Sequence, residues 1–224
     1  MKAVTRCVYL NAAGTLSRRA ICLLAILGWV LLSSETAQAA LKCEAFTWAP
    51  ERLDFNAEKD RRRVRQVESH HFDARVESLV RGQTSQFPGP DINFLVRYSP
   101  NHQRGLAALV RLSLRDKTPK PVGVDIPVEC YLLRALEFKP SDAEVHKIYG
   151  TYLARLGRDP EAIARFEQAE KLSPDDPVIA YNLGLLLTEK RDFERARMYA
   201  EKAYAGGVQL PGLRDKLARQ GQWH

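Results

Sequence analysis

The chain has 224 residues, with 34 Lys plus Arg against 27 Asp plus Glu, a formal charge of +7. Hydrophobic residues make up 45% and charged residues 27%, which is the composition of a folded globular chain and excludes wholesale disorder. No Gly-X-Y period is present, so collagen is excluded, and 4 cysteines are too few for a disulfide-dense scaffold.

The first segment reads as an address. Lys2, Arg6, Arg18 and Arg19 form a positive flank, an apolar run follows from Ala20 to Leu32, and Ala37-Gln38-Ala39 closes the segment. That order is the n-region, h-region and A-x-A site of a secretory signal peptide. A helix made of the apolar run would span about 20 Å, short of the roughly 30 Å hydrocarbon core of a bilayer. Cleavage is therefore expected after Ala39, giving a periplasmic or secreted protein. Retention as an inner-membrane anchor, helped by Gly28 to Ser34, is the alternative, and only then is a membrane a partner. Lys42 before Cys43 does not suit a lipobox. Removing residues 1–39 leaves about 185 residues carrying roughly +4, a charge that calls for no nucleic acid. The remainder also lacks the aromatic-interleaved basic stripe of single-strand binders.

Cys7 and Cys22 leave with the signal, while Cys43 and Cys130 stay in an oxidising compartment. An even pair there reads as one disulfide, with two free thiols as the alternative. On the helix expected around Cys130 the apolar stripe is Val128, Leu132, Ala135 and Phe138. Cys130 falls roughly opposite it at 100° per residue, free to meet the segment around Cys43.

Residues 40–67 hold no repeat. Their run Asp60-Arg61-Arg62-Arg63-Val64-Arg65 reads as a solvated helix face, with contact to an acidic partner or phospholipid headgroups as the alternative. Over residues 68–100, Phe72, Val76, Leu79 and Val80 make a helical stripe ending at Gly82. The stretch QTSQFPGP is a loop, and Asp91 caps a short helix through Tyr98, which together read as a degenerate helical hairpin. Residues 101–140 begin a clearer unit with Leu106, Leu109 and Val110 and end it with Ala135 and Pro140. The proline-rich stretch Thr118 to Pro127 is an inserted loop.

The strongest signal is a period of 34 residues. In residues 141–174, Tyr149, Gly150 and Leu153 share one helical face, Ala162, Phe166 and Ala169 a second, and Pro174 closes the unit. In residues 175–210 the same places hold Leu183, Gly184 and Leu187, then Ala196, Ala200 and Ala203. Two antiparallel helices cross closely only where side chains are small, which Gly150 with Ala162 and Gly184 with Ala196 supply. Ser141 to Glu144 reads as a capping box, and Asp159-Pro160 and Asp176-Pro177 each as an N-cap before a proline. Gly157 and Gly206-Gly207 stand where left-handed C-caps belong. Leu213, Leu217 and Ala218 in residues 211–224 give a short capping helix.

This pattern resembles the tetratricopeptide repeat (TPR) family. The matching residues are Tyr149, Gly150, Leu153, Ala162, Phe166, Ala169 and Pro174, then Leu183, Gly184, Leu187, Ala196 and Ala203. The second unit departs at its end, where Val208 replaces the closing proline. The resemblance implies an all-α helical-hairpin solenoid wound as a right-handed superhelix, here with an irregular N-terminal segment and a C-terminal capping helix. It also implies a concave groove lined by the first helix of each unit. By family position that groove receives Arg104, Arg111 and Arg115, then Lys147 and Arg155, then Tyr181, Asn182, Leu185 and Glu189. Ala107, Leu114, Glu144, Thr151, Ala154, Val178 and Thr188 are its further positions. Such a groove is basic at one end and apolar at the other, which suits a protein or peptide segment carrying acidic groups. The family's two-carboxylate clamp is only partly echoed by Arg111, Lys147 and Asn182.

No catalytic motif accompanies this. The chain has no Walker loop, no G-x-S-x-G and no H-E-x-x-H. His70 and His71 diverge by about 100° on a helix, so they read as surface residues and not as metal ligands. The expected function is a non-catalytic, cofactor-free binding scaffold of the bacterial envelope. Its rivals are a membrane-anchored auxiliary subunit of an envelope or export assembly, and an envelope enzyme whose site is assembled across distant helices.

Overall fold

The computed structural model describes Cys43 and residues 49–223. The signal segment, Cys7 and Cys22 lie outside the described residues. Among the described residues are ten α-helices, a short 3-10 turn at Glu58–Asp60 and no strand. The helices are α1 (Arg61–His71), α2 (Ala74–Glu77), α3 (Pro88–Tyr98), α4 (Gln103–Asp116), α5 (Val128–Phe138), α6 (Ala143–Arg155), α7 (Asp159–Leu172), α8 (Pro177–Glu189), α9 (Phe193–Ala205) and α10 (Gly212–Arg219). None of these is long and apolar enough to cross a membrane. The fold is an all-α helical-hairpin solenoid: α6 pairs with α7, α8 pairs with α9, and the hairpins stack through α7 and α8.

The hairpins form because their apolar faces have nowhere else to go. Leu153, Ala162, Phe166 and Ala169 are buried in one pair, and Leu183, Leu187, Ala196, Ala200 and Ala203 in the other. The close approach is set by the glycines, though not against the alanines opposite them. A Cβ on Gly150 would lie 2.9 Å from the Phe166 ring. One on Gly184 would lie 2.5 Å from Cδ2 of Leu213, so this glycine chiefly admits α10. The last hairpin and the terminal helix are therefore one packing unit.

Several helix ends differ from the sequence expectation for local reasons. Asp142, not Ser141, caps α6, accepting from the Val145 amide at 3.2 Å, while Glu144 pairs with Lys147 at 2.6 Å. Asp176 does cap α8, accepting from the Val178 and Ile179 amides. Asp159 is the first residue of α7 and caps nothing; Arg158 precedes it, held by Glu129 at 2.8 Å. Gly157 and Gly207 are left-handed, at φ 73° and 92°, whereas Gly206 is not.

The N-terminal half departs further. The expected stripe from Phe72 to Gly82 is broken: α1 stops at His71, α2 is one turn long, and Leu79 turns left-handed at φ 62°. Leu79 is thereby buried and Val80 is 73% exposed. Asp91 is no cap. It lies within the first turn of α3, fully buried, and accepts from the Gln83 and Thr84 amides, the Thr84 hydroxyl and the His71 ring. The extended segment 49–57 is tied on by Leu53, whose amide donates to the Tyr98 carbonyl at 2.7 Å and whose side chain is buried.

Cys43 and Cys130 form a disulfide across 87 residues. Cys130 is fully buried, as are Val128 and Leu132, so the first turns of α5 are covered on more than the one expected face. A loop of that length stabilises by up to about 4–5 kcal/mol in the chain-entropy model. Cys43→Ser, which leaves a buried thiol that behaves as a small hydrophobe, is expected to lose a substantial part of that. The denaturant midpoint of oxidised protein checks it, and wild type under reductant should match the variant. Gly184→Leu should overpack the α8–α9–α10 contact by about 1–3 kcal/mol and lower the melting temperature by several degrees. An unchanged melting temperature would count against this register.

Candidate binding groove

The concave positions lie on α4, α6 and α8, each the first helix of its pair, and their side chains have three different fates.

At the α4 end the cations are already engaged by the chain itself. The Arg104 guanidinium donates to Glu77 at 2.8 Å, reaches Glu68 at 3.4 Å and lies 5.4 Å above the Phe72 ring. Arg111 donates to the Glu77 carbonyl at 2.8 Å. Arg115 donates to the Leu79 carbonyl at 2.7 Å and to Asp116 at 2.8 Å. The segment α1–α2 thus sits on the basic end and supplies two carboxylates to it. Its seat is completed by His102, a buried residue whose Nδ1 accepts from the Gly105 amide at 3.0 Å and caps α4. Its Nε2 faces Glu68 at 3.0 Å, the donor–acceptor arrangement of a neutral ring.

In the middle, Lys147 bridges Asp176 at 2.8 Å and Glu144 at 2.6 Å, with its side chain only 18% exposed. It ties the start of α8 to α6, a cross-hairpin strut. At the far end Tyr181 is buried beneath α10. A Cβ on Gly212 would lie 2.9 Å from its hydroxyl, which also meets the Leu213 backbone. Burial pushes the Tyr181 hydroxyl pKa up.

The remaining positions converge. Arg155, Asn182, Leu185 and Glu189 line one open cavity of about 570 Å³, together with Thr151 and Ala154. Sequence reasoning missed its other walls: Asp159, Leu186, Lys216 and the Phe166 floor. Lys216 comes from α10 and pairs with Glu189. Its place depends on how the terminal helix folds back, which no repeat position encodes. Asn182 Nδ2 donates to the Val178 carbonyl at 2.8 Å, leaving its amide oxygen available as an acceptor. Arg155 is exposed at the rim. The cavity therefore offers the Arg155 guanidinium and the Asn182 amide oxygen beside an apolar wall of Leu185 and Leu186, while Lys216 is paired with Glu189 and Asp159 adds a second carboxylate.

The expectation that His70 and His71 are both surface residues holds for His70 alone. His71 is half-buried, stacked on Phe94 at 3.9 Å, with Nδ1 2.9 Å from Asp91. The His71–Asp91 pair ties the end of α1 to α3, and the bonds from Gln83 and Thr84 to Asp91 staple the 82–86 loop to the same helix. Among the described residues no cluster of three or more His, Cys, Asp or Glu could hold a metal.

The Glu68 and Glu77 pKa values are lowered, Glu68 chiefly by its hydrogen bond to His102 and Glu77 chiefly by Arg104. A carboxylate lowered in the folded state contributes stability above its unfolded pKa, about 4.3 for Glu. That contribution is lost as pH falls through the lower folded value. Acidification below about pH 4 should therefore loosen α1–α2 from α4 before the α6–α9 hairpins unfold. Hydrogen exchange at residues 61–79 against residues 143–205 checks the order, and simultaneous loss would contradict it.

Residues 150–190 match the family model described as TPR repeat. Among solved structures, the chain is similar to YrrB, described as a TPR protein with an unusual peptide-binding site. Identity is 22%, over 60% of this chain and 64% of that one, with a TM-score of 0.43. It is also similar to the Pseudomonas aeruginosa protein pilF, at 17% identity over 72% of this chain and 88% of that one, with a TM-score of 0.34. The chain thus spans less than two thirds of the length of YrrB. No curated protein matches the sequence. The 34-residue period, the stacked hairpins and the family match over residues 150–190 agree, and this part of the chain has a tetratricopeptide-repeat fold.

Proposed function

We propose that this protein is an exported scaffold of the bacterial envelope that holds a segment of a partner protein by binding and without catalysis. The observation that supports this best is the open cavity lined from α6, α8 and α10, where Arg155 and Asn182 stand with Leu185 and Leu186 and Lys216 is paired with Glu189. A partner segment with a carboxylate beside an apolar side chain fits that arrangement, since Arg is a favoured anchor and the apolar wall desolvates it. The basic residues of α4 contribute less to such a site, because Glu68, Glu77 and the carbonyls of Glu77 and Leu79 already satisfy them. Lys147 and Tyr181 act as supports, one bridging α6 to α8 and one seating α10.

The test is a crosslinked capture from the envelope fraction, comparing wild type with Arg155→Glu/Leu185→Ser. Both side chains line the cavity and neither is fully buried, so the variant should fold. We expect a captured protein to be lost by at least tenfold in the variant and retained in Arg111→Gln. Equal capture by the cavity variant and wild type would reject the cavity as the site. Loss in Arg111→Gln alone would move the site to the α4 end.

A further inference from the structure

We propose that the end of the molecule formed by the loops 79–88 and 117–124 docks on the surface of an anionic phospholipid bilayer. The two loops are one surface. The Arg115 guanidinium on α4 donates to the Leu79 carbonyl at 2.7 Å. A Cβ on Gly89 would lie 2.0 Å from the Val122 carbonyl, and one on Gly123 would lie 2.4 Å from the Pro90 ring. Glycine at both places is what lets the second loop lie against the start of α3. Between Leu79, Phe87 and Arg115 the surface is hollowed by about 710 Å³.

Three apolar side chains project from it: Val80 at 73% exposure, Phe87 at 50% and Val122 at 64%. Nothing in the local folding requires the first of these. Leu79 takes a left-handed backbone, φ 62°, which a residue with a branched side chain adopts at a cost, and the turn buries Leu79 while facing Val80 to solvent. Lys117, on the neighbouring loop, is left-handed as well, at φ 50°. A strained turn that presents an apolar tip points to a use for the tip.

The charge around the tips is mainly positive, with the exposed Asp125 at the far end of the second loop paired to Arg97 at 3.7 Å. Residues 78–90 and 117–124 contain no Asp or Glu, while Arg81, Lys117 and Lys120 are exposed among them. Asp116 beside them is taken up by Arg115 at 2.8 Å. Exposed apolar tips accompanied by exposed cations suit the headgroup layer, where tips enter the acyl boundary and lysine stems keep their ammonium groups among the phosphates. A protein partner fits less well, because lysine is depleted in protein interfaces.

The test uses the full chain with its disulfide intact, mixed with vesicles of phosphatidylglycerol and phosphatidylcholine or of phosphatidylcholine alone. Amide hydrogen exchange is read over residues 79–88 and 117–124. We expect at least tenfold slowing in these loops with anionic vesicles only. That slowing should be lost in Val80→Ser/Phe87→Ser/Val122→Ser and in Arg81→Gln/Lys117→Asn/Lys120→Gln, where Asn suits the left-handed position. Any tethering by the N-terminal apolar run would act alike in both lipids and in both variants. No slowing, equal slowing on phosphatidylcholine alone, or slowing that survives both variants would overturn the proposal.

Discussion

One buried amide, that of Asn101, ties the segment at residues 54–56 to the start of the repeat hairpins. Its oxygen accepts from the Phe55 amide at 3.0 Å, and its nitrogen donates to Asp54 at 2.8 Å and to Asp142 at 3.1 Å. Asp142 is also the cap of α6 and accepts from Asn56 at 2.8 Å, and Asp54 is further paired with Lys139 at 2.9 Å. One side chain therefore joins the N-terminal extension, the start of α4 and the start of α6. Asn101 is fully buried, and its bond to Asp142 is made where water cannot replace it. Losing a partner from such a site leaves buried polar groups unmet at about 1–3 kcal/mol each. The disulfide acts on the same half of the molecule by limiting how far the unfolded chain can separate, which complements the network without duplicating it.

Beyond this junction α1 packs on α3 and α2 on α4, and Glu68 and Glu77 meet Arg104. At the other end Gly184 and Gly212 let α10 close over Tyr181. Both ends of the concave face are thus built partly from the chain's own termini. What stays open is the stretch around Arg155, Asn182 and Leu185. The fold narrows a long potential groove to a cavity about the size of a few residues.

The hairpins were legible because their determinants are local and periodic. Gly150, Ala162, Gly184 and Ala196 stand at fixed spacing, and Asp176, Gly157 and Gly207 mark ends through chemistry that acts within one turn of the chain. The groove positions Arg155, Asn182, Leu185 and Glu189 were legible for the same reason, since family register fixes which face a residue takes. The rest depends on contacts between distant segments. Asp91 looks like a cap by type and becomes a buried hub only because His71, Gln83 and Thr84 fold around it. Val80 continues a helical stripe on paper and is released from it by a left-handed turn whose carbonyl is held from α4. Lys216 and Tyr181 depend on where the terminal helix lands.

The same distinction governs how the basic residues should be counted. Sequence position makes Arg104, Arg111 and Arg115 look like a recognition surface, and the structure shows each of them bonded within the chain. An acidic partner could use them only by displacing Glu68 and Glu77. Its apparent affinity would then be reduced by the fraction of molecules in which α1–α2 is already released. Arg155 carries no such penalty, because it stands at an open rim. Two sites with similar residue types therefore differ in accessible free energy. The difference comes from α1–α2, whose Glu68, Glu77 and backbone carbonyls already occupy one of them.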